Sequence, residues 1–183
     1  MSVNPSQGTG VEGQPDSLSQ DLIARLARAY LATYRGPHGD APGADAAVTG
    51  PVDRTAAGML SPAMIQAHYR LGRRRHIGDT RVAIYGEDGG FGPALQVVTD
   101  NATMLMDSVT VLLHRLGVAY KAIMNPVFRV RRGPAGELVD IEPASGAAFR
   151  DGIDEAWIHV QLTGAVDGKA LQEAERLLPS VLA

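Results

Sequence analysis

There is no cysteine among the 183 residues. Disulfide staples, thiolate metal sites and a cysteine nucleophile are therefore excluded, and the chain fits a reducing, cytoplasmic setting. Aromatic residues are scarce at 5%, with one Trp, too few for a sheet face that stacks unpaired bases. An excess of positive charge is also missing. Lys and Arg number 17 against 20 Asp and Glu, for a net charge of −3, which argues against nucleic acid as a partner. No apolar run approaches the roughly 20 residues of a membrane-spanning helix. Residues 1–16 have no positive stretch leading into an apolar one, so they are not read as a secretory signal. They are polar, rich in Gly, Ser, Pro and Gln, and read as a disordered tail.

What is present is ordinary globular material: 45% hydrophobic and 20% charged residues, in a chain long enough to bury a core unaided. Ser17 and Gln20 have capping-box spacing. Leu18, Leu22, Leu26, Ala29, Tyr30 and Thr33 then recur at helical spacing until Gly36-Pro37. This apolar face is narrow, so the helix must pack on something else to be stable. Residues 36–58 are rich in Gly, Pro, Ala and Asp without a period, and read as a loop that leaves the first helix as an arm away from the main core. Ser61-Pro62 restarts helix, with Ser61 as N-cap, Pro62 at the first position and Leu60 stapled to Ile65. Residues 17–78 form this helical arm and linker.

From residue 79 the period changes. Strands are expected at 80–85 and 94–99, joined by the glycine-rich stretch 86–93. A helix carries Leu105, Val109, Leu112, Leu113 and Leu116 on one side and ends at Gly117. Residues 118–132 read as one long strand broken at Asn125-Pro126, where the missing proline N–H requires an edge or a bulge. A hairpin over 128–142 and a strand at 156–162 follow, with Ile158, Val160 and Leu162 inward and Trp157, His159 and Gln161 on the opposite side. Asp167 caps a last helix bearing Leu171, Ala174, Leu178 and Val181. The order β-β-α-β-β-β-α over 79–183 predicts an α+β fold of the split βαβ, ferredoxin-like kind: one antiparallel sheet with helices on one face. One outer strand is missing after the last helix. Either 80–85 fills that slot or further protein follows Ala183.

Few residues point to chemistry. The glycines at 86, 89, 90 and 92 lead into a strand rather than a helix, so they do not form a dinucleotide loop. None of the five histidines has H-E-x-x-H spacing, and all are expected in surface or supporting roles. The run Arg73, Arg74, Arg75, His76 reads as a solvated helix end. Arg129, Arg131 and Arg132 read as solvent-facing guards of a strand edge. No catalytic, metal or cofactor residue emerges. The turn Asp100, Asn101, Ala102, Thr103 remains as a tentative ligand-binding element, because it opens a helix whose first N–H groups are free for a carboxylate. Simple capping of that helix by Asp100 or Asn101 is the competing reading.

The stretch 100–109, with 113–118, resembles an ACT-like regulatory domain, and more specifically the N-terminal region of the large NAD-specific glutamate dehydrogenases. The segments 68–73, 91–98, 126–130, 156–160 and 175–179 resemble that family as well. The resemblance covers roughly 30–183. It implies a non-catalytic ACT-like regulatory or oligomerisation domain with no cofactor of its own, in a parent enzyme that uses NAD to oxidise L-glutamate to 2-oxoglutarate and ammonium. It also implies a cytoplasmic homotetramer, neighbouring domains and subunits as partners, amino-acid effectors in some members and a forkhead-associated regulatory protein in others. One departure stands out. Amino-acid-binding ACT domains usually carry a Pro-Gly-like pair in the turn where this chain has Ala102-Thr103. A stand-alone amino-acid sensor is the alternative; a nucleic-acid-binding module ranks last.

Overall fold

The computed structural model describes residues 18–36, 60–164 and 167–183. Within them the helical periods become α1 (Gln20–Ala32), α2 (Pro62–Gly72), α3 (Leu105–Arg115) and α4 (Gly168–Val181). The alternating stretches become β1 (Arg81–Tyr85), β2 (Ala94–Asp100), β3 (Tyr120–Met124), β4 (Val127–Arg132), β5 (Leu138–Pro143) and β6 (Ile153–Leu162). The tail 1–16, Ser17 and nearly all of the loop 36–58 lie outside the described residues.

All six strands join one antiparallel sheet in the order β1-β2-β6-β4-β5, with β3 also on β6. The long strand expected over 118–132 is present as β3 and β4, which line up along the same side of β6: Met124 faces His159 and Val127 faces Ala156. At the break, the Pro126 carbonyl accepts from Trp157 N at 3.0 Å, so the ladder continues where the proline cannot donate. The hairpin β4–β5 pairs Phe128 with Pro143 and Arg129 with Glu142. β1 pairs with β2 along all five of its residues and fills the outer slot.

Alternation along the strands sends side chains to two faces, and both are covered. On one face Leu95, Val97, Ile158, Val160 and Leu162 pack with Leu105, Val109 and Leu113 of α3 and with Ala174 and Leu178 of α4. Burial of each large aliphatic side chain here contributes about 1.5–3 kcal/mol. α3 ends as its glycine foretold. Gly117 takes φ +67°, its N–H bonds to His114 O, and Val118 N bonds to Leu113 O, the paired bonds of a Schellman motif.

The opposite face carries Val98, Phe128, Val130 and Trp157, covered by Ile23, Leu26 and Tyr30 of α1 and by Met64 and Ile65 of α2. Here the structure corrects the expectation that α1 lies away from the core. Its narrow stripe needed a surface, and the uncovered side of the sheet supplies one. Its N-cap is Ser19, whose Oγ accepts from Leu22 N, so Gln20 is the first helical residue rather than the reciprocal cap. Ser61 caps α2 as expected, accepting from Met64 N, with Pro62 in the first turn.

α2 sits so close to the sheet that a methyl group on Gly72 would stand 2.4 Å from Trp157 Cη2. Gly72→Ala therefore forces the ring or the helix to shift, and is expected to destabilise the fold by about 1–3 kcal/mol. Urea unfolding followed by fluorescence of the single Trp checks this; an unchanged midpoint would mean that the contact yields freely.

Candidate functional site

β2 delivers Asp100 to the end of the sheet, where the chain turns towards α3. The Asp100 side chain does not cap that helix. Its Oδ1 accepts from Arg75 Nη2 at 2.5 Å and its Oδ2 from Gly78 N at 2.9 Å. Asn101 donates its backbone N–H to Asp154 O and does not cap either. Asn101, Ala102 and Thr103 are exposed. The N-cap position belongs to Met104, which adopts left-handed backbone at φ 66° and is 68% exposed. The capping reading is thus corrected: α3 begins without a side-chain cap, and a non-glycine residue holds a conformation that L-amino acids rarely adopt. The four turn residues share one exposed corner, but only Asp100 has its side chain tied into the fold.

That tie leads into a buried ionic cluster. Arg75 and Glu155 are both fully buried and face one another, Nε to Oε1 at 3.0 Å and Nη2 to Oε1 at 2.7 Å. Arg132 adds bonds to Glu155 Oε1 at 2.6 Å and Oε2 at 2.8 Å, and the indole N–H of Trp157 donates to Oε2 at 3.1 Å. Arg132 also reaches Gly72 O at the end of α2, while Arg75 reaches Asp79 O. Two guanidiniums are balanced by the carboxylates of Glu155 and Asp100, which is the condition under which buried charge is tolerated. The basic run is therefore not a uniformly solvated helix end. Arg73, Arg74 and His76 are exposed, but Arg75 turns inward. Of the three strand arginines, Arg129 pairs with Asp154 and Arg131 with Asp140, while Arg132 alternates onto the covered face with Phe128 and Val130 and enters the cluster.

Beside this cluster lies a neutral polar layer. His68 accepts from the Tyr30 hydroxyl at Nδ1 (2.8 Å) and donates from Nε2 to Val97 O (3.0 Å), an assignment that the fixed carbonyl imposes. His159 meets Gln96 Nε2 at 3.2 Å and Gln161 Oε1 at 3.3 Å, which places its proton on Nε2 as well. Both rings are fully buried, so of the two places expected for the histidines these take the supporting one and not the surface. Burial lowers His68 to about 3, helped by the nearby His159 and opposed by its bond to Val97 O. Burial likewise lowers His159 to about 4, and it raises Tyr30 well above the usual phenol value. His38 lies outside the described residues.

The sequence left these inner residues unassigned although one signal was available. Glu155, Trp157, His159 and Gln161 alternate with apolar residues on β6, and two amphipathic helices required a face to cover. A polar row on a strand that must be covered has to be paired internally. Among the described residues, no group of three or more His, Cys, Asp or Glu side chains could hold a metal ion, and no helix is long and apolar enough to cross a membrane.

A six-stranded antiparallel sheet with α3 and α4 packed on one face, and an exposed turn between its second strand and the following helix, is the α+β architecture of an ACT-like domain. Residues 52–178 match the family described as glutamate dehydrogenase, ACT1 domain, and the chain belongs to that family. An NAD-specific glutamate dehydrogenase from Mycobacterium tuberculosis is 50% identical over 187 residues; the alignment covers 100% of this chain and 11% of that protein.

Two measurements test this description. Glu155→Gln leaves two buried guanidiniums without their shared counter-charge, and is expected to cost about 3–5 kcal/mol, more than Arg75→Met, which leaves Glu155 paired with Arg132. Chemical denaturation of the two variants ranks them, and an equal or reversed order would remove Glu155 from the centre of the cluster. The histidines predict a pH dependence. Each has a folded pKa below its unfolded value of about 6.5, so the unfolded chain takes up protons first and stability falls with pH. Their contribution is complete above pH 6.5 and declines towards pH 4 for His159 and pH 3 for His68, by roughly 1.4 kcal/mol per pH unit for each ring. In urea titrations at pH 7, 6 and 5, His159→Gln should show about half of the histidine-dependent slope; an unaltered slope would exclude the ring as its source.

Proposed function

We propose that this chain is a non-catalytic regulatory and assembly module of a large NAD-dependent glutamate dehydrogenase, whose parent reaction converts L-glutamate, NAD and water to 2-oxoglutarate, ammonium and NADH. The supporting observation is the family match over 52–178, joined by the 50% identical relative that is some nine times longer than the aligned region. In this reading NAD is bound by other parts of the parent protein, which works as a cytoplasmic homotetramer. The partners of the module are then neighbouring domains and subunits, an amino-acid effector and a forkhead-associated regulator. Asp100, Asn101, Ala102 and Thr103 are the residues proposed to meet an effector: the turn is exposed, α3 lacks a side-chain cap there, and a carboxylate complements a helix start.

A stand-alone amino-acid sensor is the second reading. It is favoured by the full-length pairing of β1 with β2, which closes the sheet's outer slot within the chain itself.

A thermal-shift panel of the twenty amino acids, 2-oxoglutarate and NAD tests both, with sedimentation velocity run alongside. An effector at a hundred times its Kd should stabilise the fold by about 2.7 kcal/mol, a midpoint rise of about 5–10 °C for a chain of this size. A rise that disappears in Thr103→Pro supports the effector role; no rise with any compound, together with self-association, supports assembly. Glutamate-dependent NADH formation by the chain alone would overturn the non-catalytic assignment.

A further inference from the structure

Away from the β2–α3 turn, an open groove of about 410 Å³ runs between α1 and the end of β5. One wall is a stripe of α1, Arg25, Arg28, Ala29 and Ala32, spaced so that all four share a helix face. The other wall is Glu142 and the turn that follows, including Ser145. The two alanines leave the floor apolar and unfilled beside a pair of guanidiniums.

Arg25 is loosely held. Its Nε lies 3.4 Å from Asp21 Oδ2 and its Nη1 lies 3.7 Å from Glu142 Oε1, both beyond the roughly 2.7–3.2 Å of an N–H···O bond. The Nε is enclosed and has no hydrogen-bond partner. A charged donor withdrawn from water without an acceptor is unfavourable. Arg28 is exposed and makes no ion pair among the described residues. Glu142 is already engaged, since its Oε2 accepts from Ala148 N at 2.6 Å, so it fastens the 144–148 segment rather than completing Arg25.

We propose that this groove binds a small carboxylate-bearing molecule. The carboxylate takes the terminal N–H groups of Arg25 in the fork geometry that guanidinium favours, with Arg28 supplying a second positive charge and the body of the ligand lying on Ala29 and Ala32. Glu142 opposite disfavours a second negative charge and selects a ligand whose far end is neutral or cationic. The site lies on α1 and the end of β5, so it does not depend on residues 100–103 or on the regulatory reading above.

The test is a two-dimensional NMR titration of the whole 183-residue chain at constant ionic strength. The probes are β-alanine, ethylamine as the amine without a carboxylate, and inorganic phosphate. β-Alanine is expected to shift the Arg25 side-chain Nε–H and the amides of Ser145 and Ala148 saturably, with ethylamine silent. Arg28→Gln, an exposed position whose change leaves the thermal midpoint in place, is expected to weaken that binding at least fivefold. Absence of saturation with β-alanine, equal affinity in Arg28→Gln, or saturation by phosphate alone would each overturn the assignment.

Discussion

The fold turns on one buried carboxylate. Glu155 sits in the middle of the sheet, on the face covered by the first two helices, and a charge there is tolerable only while both neighbouring guanidiniums remain in place. Arg75 arrives from the segment after α2, and Arg132 from β4, where alternation sets it on the same face as Phe128 and Val130. The indole N–H of Trp157 takes part of the same carboxylate, and its ring then fixes how closely α2 can approach at Gly72. Demands of charge and of shape thus meet at two residues of β6, and together they specify where the N-terminal helices dock.

The same cluster reaches the candidate effector corner. Asp100 is both the last residue of β2 and the outer member of the ionic group, half in water and half committed to Arg75. Its second oxygen holds the backbone of Gly78. The turn before α3 is therefore connected, through one carboxylate, to the layer on the far side of the sheet. Next to it the two histidines are locked as neutral rings by the carbonyl of Val97 and the amide of Gln161. They fill polar positions without adding charge to an interior that already holds Arg75, Arg132 and Glu155.

Much of this was legible in the residues. Period-two and helical spacing located the strands and helices, Gly117 and Asp167 marked helix ends, and Pro126 marked the break in the long strand, because each of these is a local rule that the chain obeys locally. What the sequence did not reveal was pairing at a distance. Nothing within reach of Arg75 in the chain distinguishes it from the exposed Arg73 and Arg74; its partner lies 80 positions away. His68 and His159 likewise look like any surface histidine until Tyr30 and Gln96 are brought to them. The start of α3 was misread for a related reason. Asp100 is an excellent cap by type, but the arginine cluster claimed its side chain first, and Met104 was left in the strained position.

The placement of β6 has a consequence for how the chain is made. This strand holds β2 on one side and both β3 and β4 on the other, yet it comes last in sequence among the described strands. A nascent chain that has emerged through Asp151 already contains the hairpins β1–β2 and β4–β5, but no strand joins them; the segment after α2 meets the second hairpin only through the bridge of Arg74 to Glu137 and its flanking bonds. It also carries Arg75 and Arg132 with no Glu155 to receive them. The sheet cannot be completed piecemeal from its N-terminus; its two hairpins become one sheet only when β6 inserts between them, a long-range step.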